Sequence, residues 1–368
     1  YSYTYDDADN MLTKAVYDAG ADSTTSTVFA YGDANLLTSQ SVGGTTVSFA
    51  YDDWGRMTSK SDGTYSATYA YRYGDKLYSV TSDFPSEGNA TYQYDGAGKR
   101  RQRTAGGSTT RYRWDLGWTV VNEEDALGDL TLTHVMDSPL TEVASVLADV
   151  AGTNPATGAY RYYFSDHLGS TRALYDGSKS ALGGYEYTPY GEVYASSGSV
   201  ALEGLAAAFT GKAWDSAAQM YYFPYRWYSP SAARWLTRDP VGMVDGPNVY
   251  AYLIGSPLGY FDALGLARVD EDCPTCKDAI MALVRLCASI VIAIVLDTLL
   301  TGITLIRCAA ICISTLGWGC FVCLGIAVFL AVVDGIMLEC PNKACKMALN
   351  DAKAFCGKKE QRAVGAAT

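Results

Sequence analysis

Between residues 3 and 115 the chain repeats one small device six times: an aromatic residue, any residue, a second aromatic residue, then a turn. The copies are Tyr3-Thr-Tyr5, Phe29-Ala-Tyr31, Phe49-Ala-Tyr51, Tyr69-Ala-Tyr71, Tyr92-Gln-Tyr94 and Tyr112-Arg-Trp114. The second aromatic falls at positions 5, 31, 51, 71, 94 and 114, in steps of 26, 20, 20, 23 and 20. A step near twenty leaves room for two strands and two turns. Side chains two apart share one face of a strand, and the Asp, Gly and Asn that follow suit a turn with positive φ angles. One hairpin cannot bury its rings alone, so neighbours must stack into a long sheet. Six registered copies favour that sheet over an ordinary β-sandwich that happens to be rich in tyrosine.

The remaining composition divides the chain in two. All 29 Tyr lie at or before Tyr260, and all 10 Cys lie at or after Cys273. From Arg268 onward there are ten Lys/Arg against nine Asp/Glu, so the net −11 of the 368 residues leaves −12 on the first 266. Such acidity argues against a nucleic-acid-binding surface, since phosphate binding calls for a basic footprint. Tyr1-Ser-Tyr-Thr-Tyr5 is an alternating strand pattern without a basic and apolar leader, which reads as a chain cut from something longer. Ten cysteines crowded into about a hundred residues favour an oxidising destination, secreted or at the cell surface.

Tyr51-Asp-Asp-Trp-Gly-Arg-Met57 and Tyr94-Asp-Gly-Ala-Gly-Lys-Arg100 carry a Tyr-Asp-x-x-Gly-basic signature. Further on come Tyr163-Phe-Ser-Asp-His-Leu-Gly-Ser-Thr-Arg172, Tyr187-Thr-Pro-Tyr-Gly-Glu192, Phe209-Thr-Gly-Lys212 and Tyr221-Tyr-Phe-Pro-Tyr-Arg-Trp-Tyr-Ser-Pro230, in that order. Residues 1–266 thereby resemble the RHS/YD-repeat proteins and their repeat-associated core. The resemblance implies a mainly β fold. Repeats over 1–120 build a cocoon-like sheet, and a core over 121–266 plugs it. His167 belongs to one of these motifs, which implies a structural loop position; with His134 as the other histidine, a His-based metal or triad site lacks material.

Residues 238–266 resemble the family's closing motif, after which the chain is expected to cut itself between Leu266 and Ala267. Peptide hydrolysis by carboxylates needs one group to activate water and one to protonate the leaving nitrogen, and two close acids spread their pKa values to make both roles available. Asp239, Asp245 and Asp262 supply acids, with Arg238 beside the first to orient a carboxylate or steady an oxyanion. By motif, Arg238, Asp239 and Asp262 are the catalytic candidates. Where the family has proline after the last acid, this chain has Ala263, which loosens the restriction on Asp262. The competing reading is that these aspartates only cap turns.

After Ala267 the chain changes character. Ala279 to Leu296 is apolar apart from Arg285, and Cys308 to Val333 runs without a charge, long enough to span a bilayer. Cys273, Cys276, Cys287, Cys308, Cys312, Cys320, Cys323, Cys340, Cys345 and Cys356 are disulfide candidates; the two Cys-x-x-Cys pairs leave zinc open as an alternative. Count and rough spacing resemble the halocin-type Cys-rich bacteriocins. The expectation is a small α-helical, Cys-rich, membrane-active cargo over 267–368, sequestered by the sheet because so apolar a surface aggregates when exposed. Its expected partners are target membrane lipid, an immunity protein and secretion machinery, with no nucleic acid, no cofactor and no metal. A membrane-anchored YD-repeat surface protein, and a soluble enzymatic or zinc-binding cargo, are the rival readings.

Overall fold

Four of the six repeat turns are closed by the carboxylate of their own aspartate, Asp6, Asp52, Asp95 and Asp115. In a computed structural model that describes residues 1–137, 145–152, 154 and 156–270, Asp52 Oδ1 accepts the backbone N–H groups of Trp54 and Arg56, both at 3.0 Å. Asp6, Asp95, Asp166 and Asp176 accept the corresponding N–H groups two and four residues on. This is the local hydrogen bonding that makes aspartate a turn former. In the Asp6, Asp52, Asp95 and Asp176 turns the residue three after the acid takes the left-handed angle the turn requires, with φ of 75° at Gly55 and 83° at Gly98, and also at the non-glycine Asp9 and Lys179.

The aromatic pairs sit where strand meets turn, and there the ladder bulges. Tyr31 lies opposite Leu37, Tyr51 opposite Met57 and Tyr71 opposite Leu77, each with a register shift at the second aromatic. The residue opposite is buried, and the second ring reaches back to the preceding copy. Tyr31 Oη donates to the Met11 carbonyl at 2.9 Å, Tyr71 Oη to Met57 at 2.7 Å, Tyr94 Oη to Leu77 at 2.9 Å, and Trp114 Nε1 to Arg100 at 2.7 Å. Four of the six copies are thereby latched to their predecessors, which gives the near-twenty-residue period a structural contribution.

Eighteen strands result, from Ser2–Tyr5 to Val193–Gly198, each antiparallel to the next in sequence. The sheet therefore continues well past the sixth aromatic pair. It curls until its ends meet through side chains. Tyr3 packs edge-on against Tyr190 at 5.1 Å, Tyr5 Oη lies 2.6 Å from Tyr190 Oη, and Lys14 Nζ lies 2.5 Å from Glu192.

Residues 199–268 form a closing segment built on four short antiparallel strands, Ala213–Asp215, Met220–Tyr222, Trp227–Ser229 and Arg234–Trp235. Phe209, Tyr221, Phe223, Tyr228, Trp235 and Tyr252 join one core with sheet residues such as Met11, Phe29 and Leu37; Met220, Tyr222 and Trp227 join a second with Met57, Tyr69 and Tyr92. Polar ties fix the segment to the sheet: Arg103 Nε to Asp215 at 2.8 Å, Tyr250 Oη to the Gly55 carbonyl at 2.7 Å and Asn248 Nδ2 to the Ala8 carbonyl at 2.9 Å.

The described residues are thus mainly β, as expected; their helical content is limited to three-residue 3-10 turns such as Leu253–Gly255. The chain divides into two units, Tyr1–Arg268 and Val269–Thr368, and the fold above is that of the first. The expected helical Cys-rich domain, all ten disulfide candidates and both long apolar runs lie outside the described residues. Among the described residues no helix is long and apolar enough to cross a membrane.

Candidate cleavage site

The last turn of the closing segment, Asp262-Ala-Leu-Gly-Leu266, repeats the design of the sheet turns in a buried setting. Asp262 Oδ1 accepts the N–H groups of Leu264 at 3.1 Å, Gly265 at 2.7 Å and Leu266 at 3.1 Å. Gly265 has a φ of 78°, and a Cβ there would stand 3.1 Å from Phe223 Cβ and 3.3 Å from the Arg226 nitrogen. Ala263, Leu264 and Leu266 are buried, and the Leu264 carbonyl accepts the Tyr225 N–H at 3.0 Å. The turn closes without the family's proline, because three N–H groups on one carboxylate oxygen already hold Asp262.

Arg226 is the hub. Its Nη1 lies 2.8 Å from Asp239 Oδ2, its Nη2 3.2 Å from Asp262 Oδ2, and its Nε donates to the Gly265 carbonyl at 2.6 Å. The guanidinium stacks over Trp235, 4.0 Å from the ring centroid. The side chains of Arg226, Asp239 and Asp262 are only 2%, 5% and 3% exposed, so a single cation is shared by two buried carboxylates in a place of low dielectric.

Those surroundings disfavour charge. Burial pushes the Asp239 carboxyl up to about 7, with Asp262 and Asp245 adding to the rise and Arg226 opposing it. Asp245 is pushed up to about 6, again mainly by burial. Asp262 is raised too; Arg226 and the three N–H groups pull the other way without overcoming its burial. A carboxyl that titrates near neutrality is suited to taking and returning a proton.

The structure brings Asp239 and Asp262 together through Arg226, with Leu266 in the same turn and Ala267 after it. It places Arg238 elsewhere. Arg238 is exposed, with its methylene groups facing Gly55. Arg226 went unnoticed in the sequence because it stands among the aromatics of Tyr221–Pro230; a lone cation in so apolar a run was the available signal. Asp245 reaches the other side of the bond, where its Oδ2 accepts the Arg268 N–H at 2.8 Å. His167 is exposed in the Asp166 turn, its Nε2 3.4 Å from the Leu258 carbonyl, while His134 is buried with Nε2 3.4 Å from Glu123 Oε1.

Residues 126–246 match the Teneurin YD-shell family. Among curated relatives, Toxin subunit YenC1 of Yersinia entomophaga is 27% identical over 204 residues, covering 52% of this chain and 21% of that protein. Double-stranded DNA deaminase toxin A of Burkholderia cenocepacia is 26% identical over 219 residues, covering 52% of this chain and 15% of that protein. The tRNA3(Ser)-specific nuclease WapA of Bacillus spizizenii is 28% identical over 196 residues, covering 52% of this chain and 8% of that protein. The chain thus spans about a fifth or less of the length of these relatives.

The exclusion of nucleic acid does not survive this comparison, because two of these relatives are named for action on DNA or tRNA. The physical reason is one of location. The excess negative charge sits on the first 266 residues, and the charge of one part of a chain does not report what another part acts upon. Its aromatic–aspartate turns and long antiparallel sheet, together with the match over residues 126–246, make the chain similar to the YD-shell proteins.

Proposed function

We propose that this chain is the closing end of a toxin shell that cuts itself after Leu266 and so frees residues 267–368. On this reading 1–120 are repeats, 121–266 are the core that performs the cut, and the rest is cargo of a secreted or surface-borne toxin. The observation that carries it is the Arg226 cluster: one buried guanidinium holds two carboxylates and the carbonyl of Gly265, one residue before the bond to be cut. The Asp239 carboxylate takes a proton from water as the water oxygen bonds to the Leu266 carbonyl carbon. It then returns that proton to the Ala267 nitrogen as the C–N bond breaks, leaving a Leu266 carboxylic acid, which keeps the second water proton, and an Ala267 amine. Asp262 and Arg226 hold the turn, and the chain's own fold supplies the proximity that a separate protease must gain by binding.

The test is expression of the chain with intact-mass measurement of the products. The reading expects a fragment ending at Leu266 and a full-length product for Asp239→Asn; an unmodified chain that stays in one piece defeats it. For the cargo, the uncharged run from Cys308 to Val333 supports a membrane-permeabilising action. The names of the relatives favour a second reading, a cargo acting on nucleic acid. Dye release from lipid vesicles by the cut chain, and none by uncut Asp239→Asn, separates the first from the second, which expects loss of added DNA or tRNA instead.

A further inference from the structure

We propose that Asp245 is a positioning residue for the cut, gripping the amine side of the Leu266–Ala267 bond through the backbone N–H of Arg268. The proposal deepens the self-cleavage reading and rests on it. On the acyl side the chain is pinned twice, at the Gly265 carbonyl by Arg226 Nε at 2.6 Å and at the Leu266 N–H by Asp262 Oδ1 at 3.1 Å. On the amine side the Arg268 N–H meets Asp245 Oδ2 at 2.8 Å. A peptide bond held at one end only can swing; held at both, its carbonyl carbon stays in register with the acid that must reach it.

Asp245 is itself tied to that acid. It lies in a loop that begins at Asp239, whose N–H donates to the Val249 carbonyl at 3.0 Å, and two inner turns tighten the loop, Gly242 N–H to the Asp239 carbonyl at 3.1 Å and Gly246 N–H to the Met243 carbonyl at 3.3 Å. One loop therefore carries both the proton carrier and the clamp on the leaving side. The grip is on backbone rather than on charge. Arg268 Nε stands 4.0 Å from Asp245 Oδ1, and its guanidinium lies over the Tyr260 ring at 5.1 Å.

Four variants separate a backbone clamp from other roles. Asp245→Asn keeps an acceptor oxygen and Asp245→Ala removes it; Arg268→Ala keeps the N–H and Arg268→Pro removes it. Cleavage is followed by intact mass after denaturant-arrested refolding. The expected result is slowing on the order of tenfold to a hundredfold for Asp245→Ala and Arg268→Pro, with Asp245→Asn and Arg268→Ala cutting within about threefold of the unmodified chain. Melting temperatures, measured for each variant in an Asp239→Asn background that stays uncut, show that the shell is folded. Hydrogen exchange in that background is expected to show the Arg268 amide protected with Asp or Asn at 245 and unprotected with Ala. Asp245→Ala cutting at full rate, or Asp245→Asn as slow as Asp245→Ala, overturns the clamp while self-cleavage stands. An unmodified chain that never cuts overturns both.

Discussion

The turns at Asp52 and Asp262 have the same architecture and opposite electrostatics. Both run from an acid to a glycine three residues on with φ near 75–78°; in both, Oδ1 collects backbone N–H groups and Oδ2 faces an arginine, Arg56 Nε at 2.7 Å in the first and Arg226 Nη2 at 3.2 Å in the second. Asp52 lies near the surface, where slight burial is outweighed by Arg56 and the N–H groups, and its carboxyl is held below the usual range. Asp262 is buried, and its carboxyl is held above that range despite one more N–H. The same kind of hydrogen bonding yields a solvated cap in one place and a buried acid that favours its protonated form in the other. Burial of the turn, not its geometry, separates a carboxyl held below the usual range from one raised above it.

That contrast is most severely tested by exchanging the acids for their amides. Asp262→Asn, which weakens the anchor of the turn that presents Leu266, is expected to lower the cleavage rate on the order of 10²-fold, and Asp52→Asn to leave it unchanged, as read by the appearance of the Leu266-ended fragment. Equal slowing by both would mean that shell integrity and not the buried acid limits the cut. Arg226→Met leaves two buried carboxylates without their cation and is expected to cost about 3–5 kcal/mol in denaturant unfolding, whereas Arg56→Met at the outer turn costs about 1 kcal/mol or less.

The pH dependence should also differ in sign. If Asp239 acts first as a base, as proposed, its carboxyl raised to about 7 makes cleavage rise with pH through neutrality and level off above it. For stability, a raised carboxyl means that between about 4 and 7 the folded chain keeps a proton the unfolded chain has released, so stability falls as pH rises across that window. The depressed Asp52 works oppositely; its contribution is present above about 4 and is lost as pH falls. Melting of uncut Asp262→Asn should therefore decline from about pH 5 to 8, and the slope should shrink when Asp239 is also Asn. An unchanged slope would show that Asp239 does not carry the proton.

How much of this was legible beforehand follows from how local each feature is. The aromatic pairs and their Asp–Gly turns could be read because each copy makes its bonds within a few residues. The extent of the sheet was less plain, since strands after Trp114 keep the turns, as at Asp166 and Asp176, while losing the strict aromatic spacing. Asp239 and Asp262 were legible from motif order, but their partner was not. Arg238 was nearest in sequence, yet its side chain is exposed, and Arg226 arrives from just before the strand Trp227–Ser229, in a run of aromatic residues. The Asp245 contact was invisible in principle, because its partner is a backbone N–H that every residue but proline carries.

The smallest expected effect concerns how each turn's carbonyl is held. Behind the Asp52 turn the Met57 carbonyl receives a neutral phenol, Tyr71 Oη at 2.7 Å, where the Asp262 turn offers the Gly265 carbonyl to the Arg226 cation. Tyr71→Phe removes that single O–H and keeps the ring, including its contact with the Arg56 guanidinium 5.0 Å from the centroid. It should cost about 0.5–1.5 kcal/mol in denaturant unfolding, the net worth of one neutral hydrogen bond. Tyr73→Phe, two residues on and exposed, should cost nothing measurable. If Tyr71→Phe is equally silent, the latch is not what holds successive copies in register, and the near-twenty-residue period would have to come from core packing alone. If it registers, the shell is a chain of weak, repeated neutral bonds closed at its end by one strong ionic cluster. Cleavage should then be untouched by the loss of any single latch.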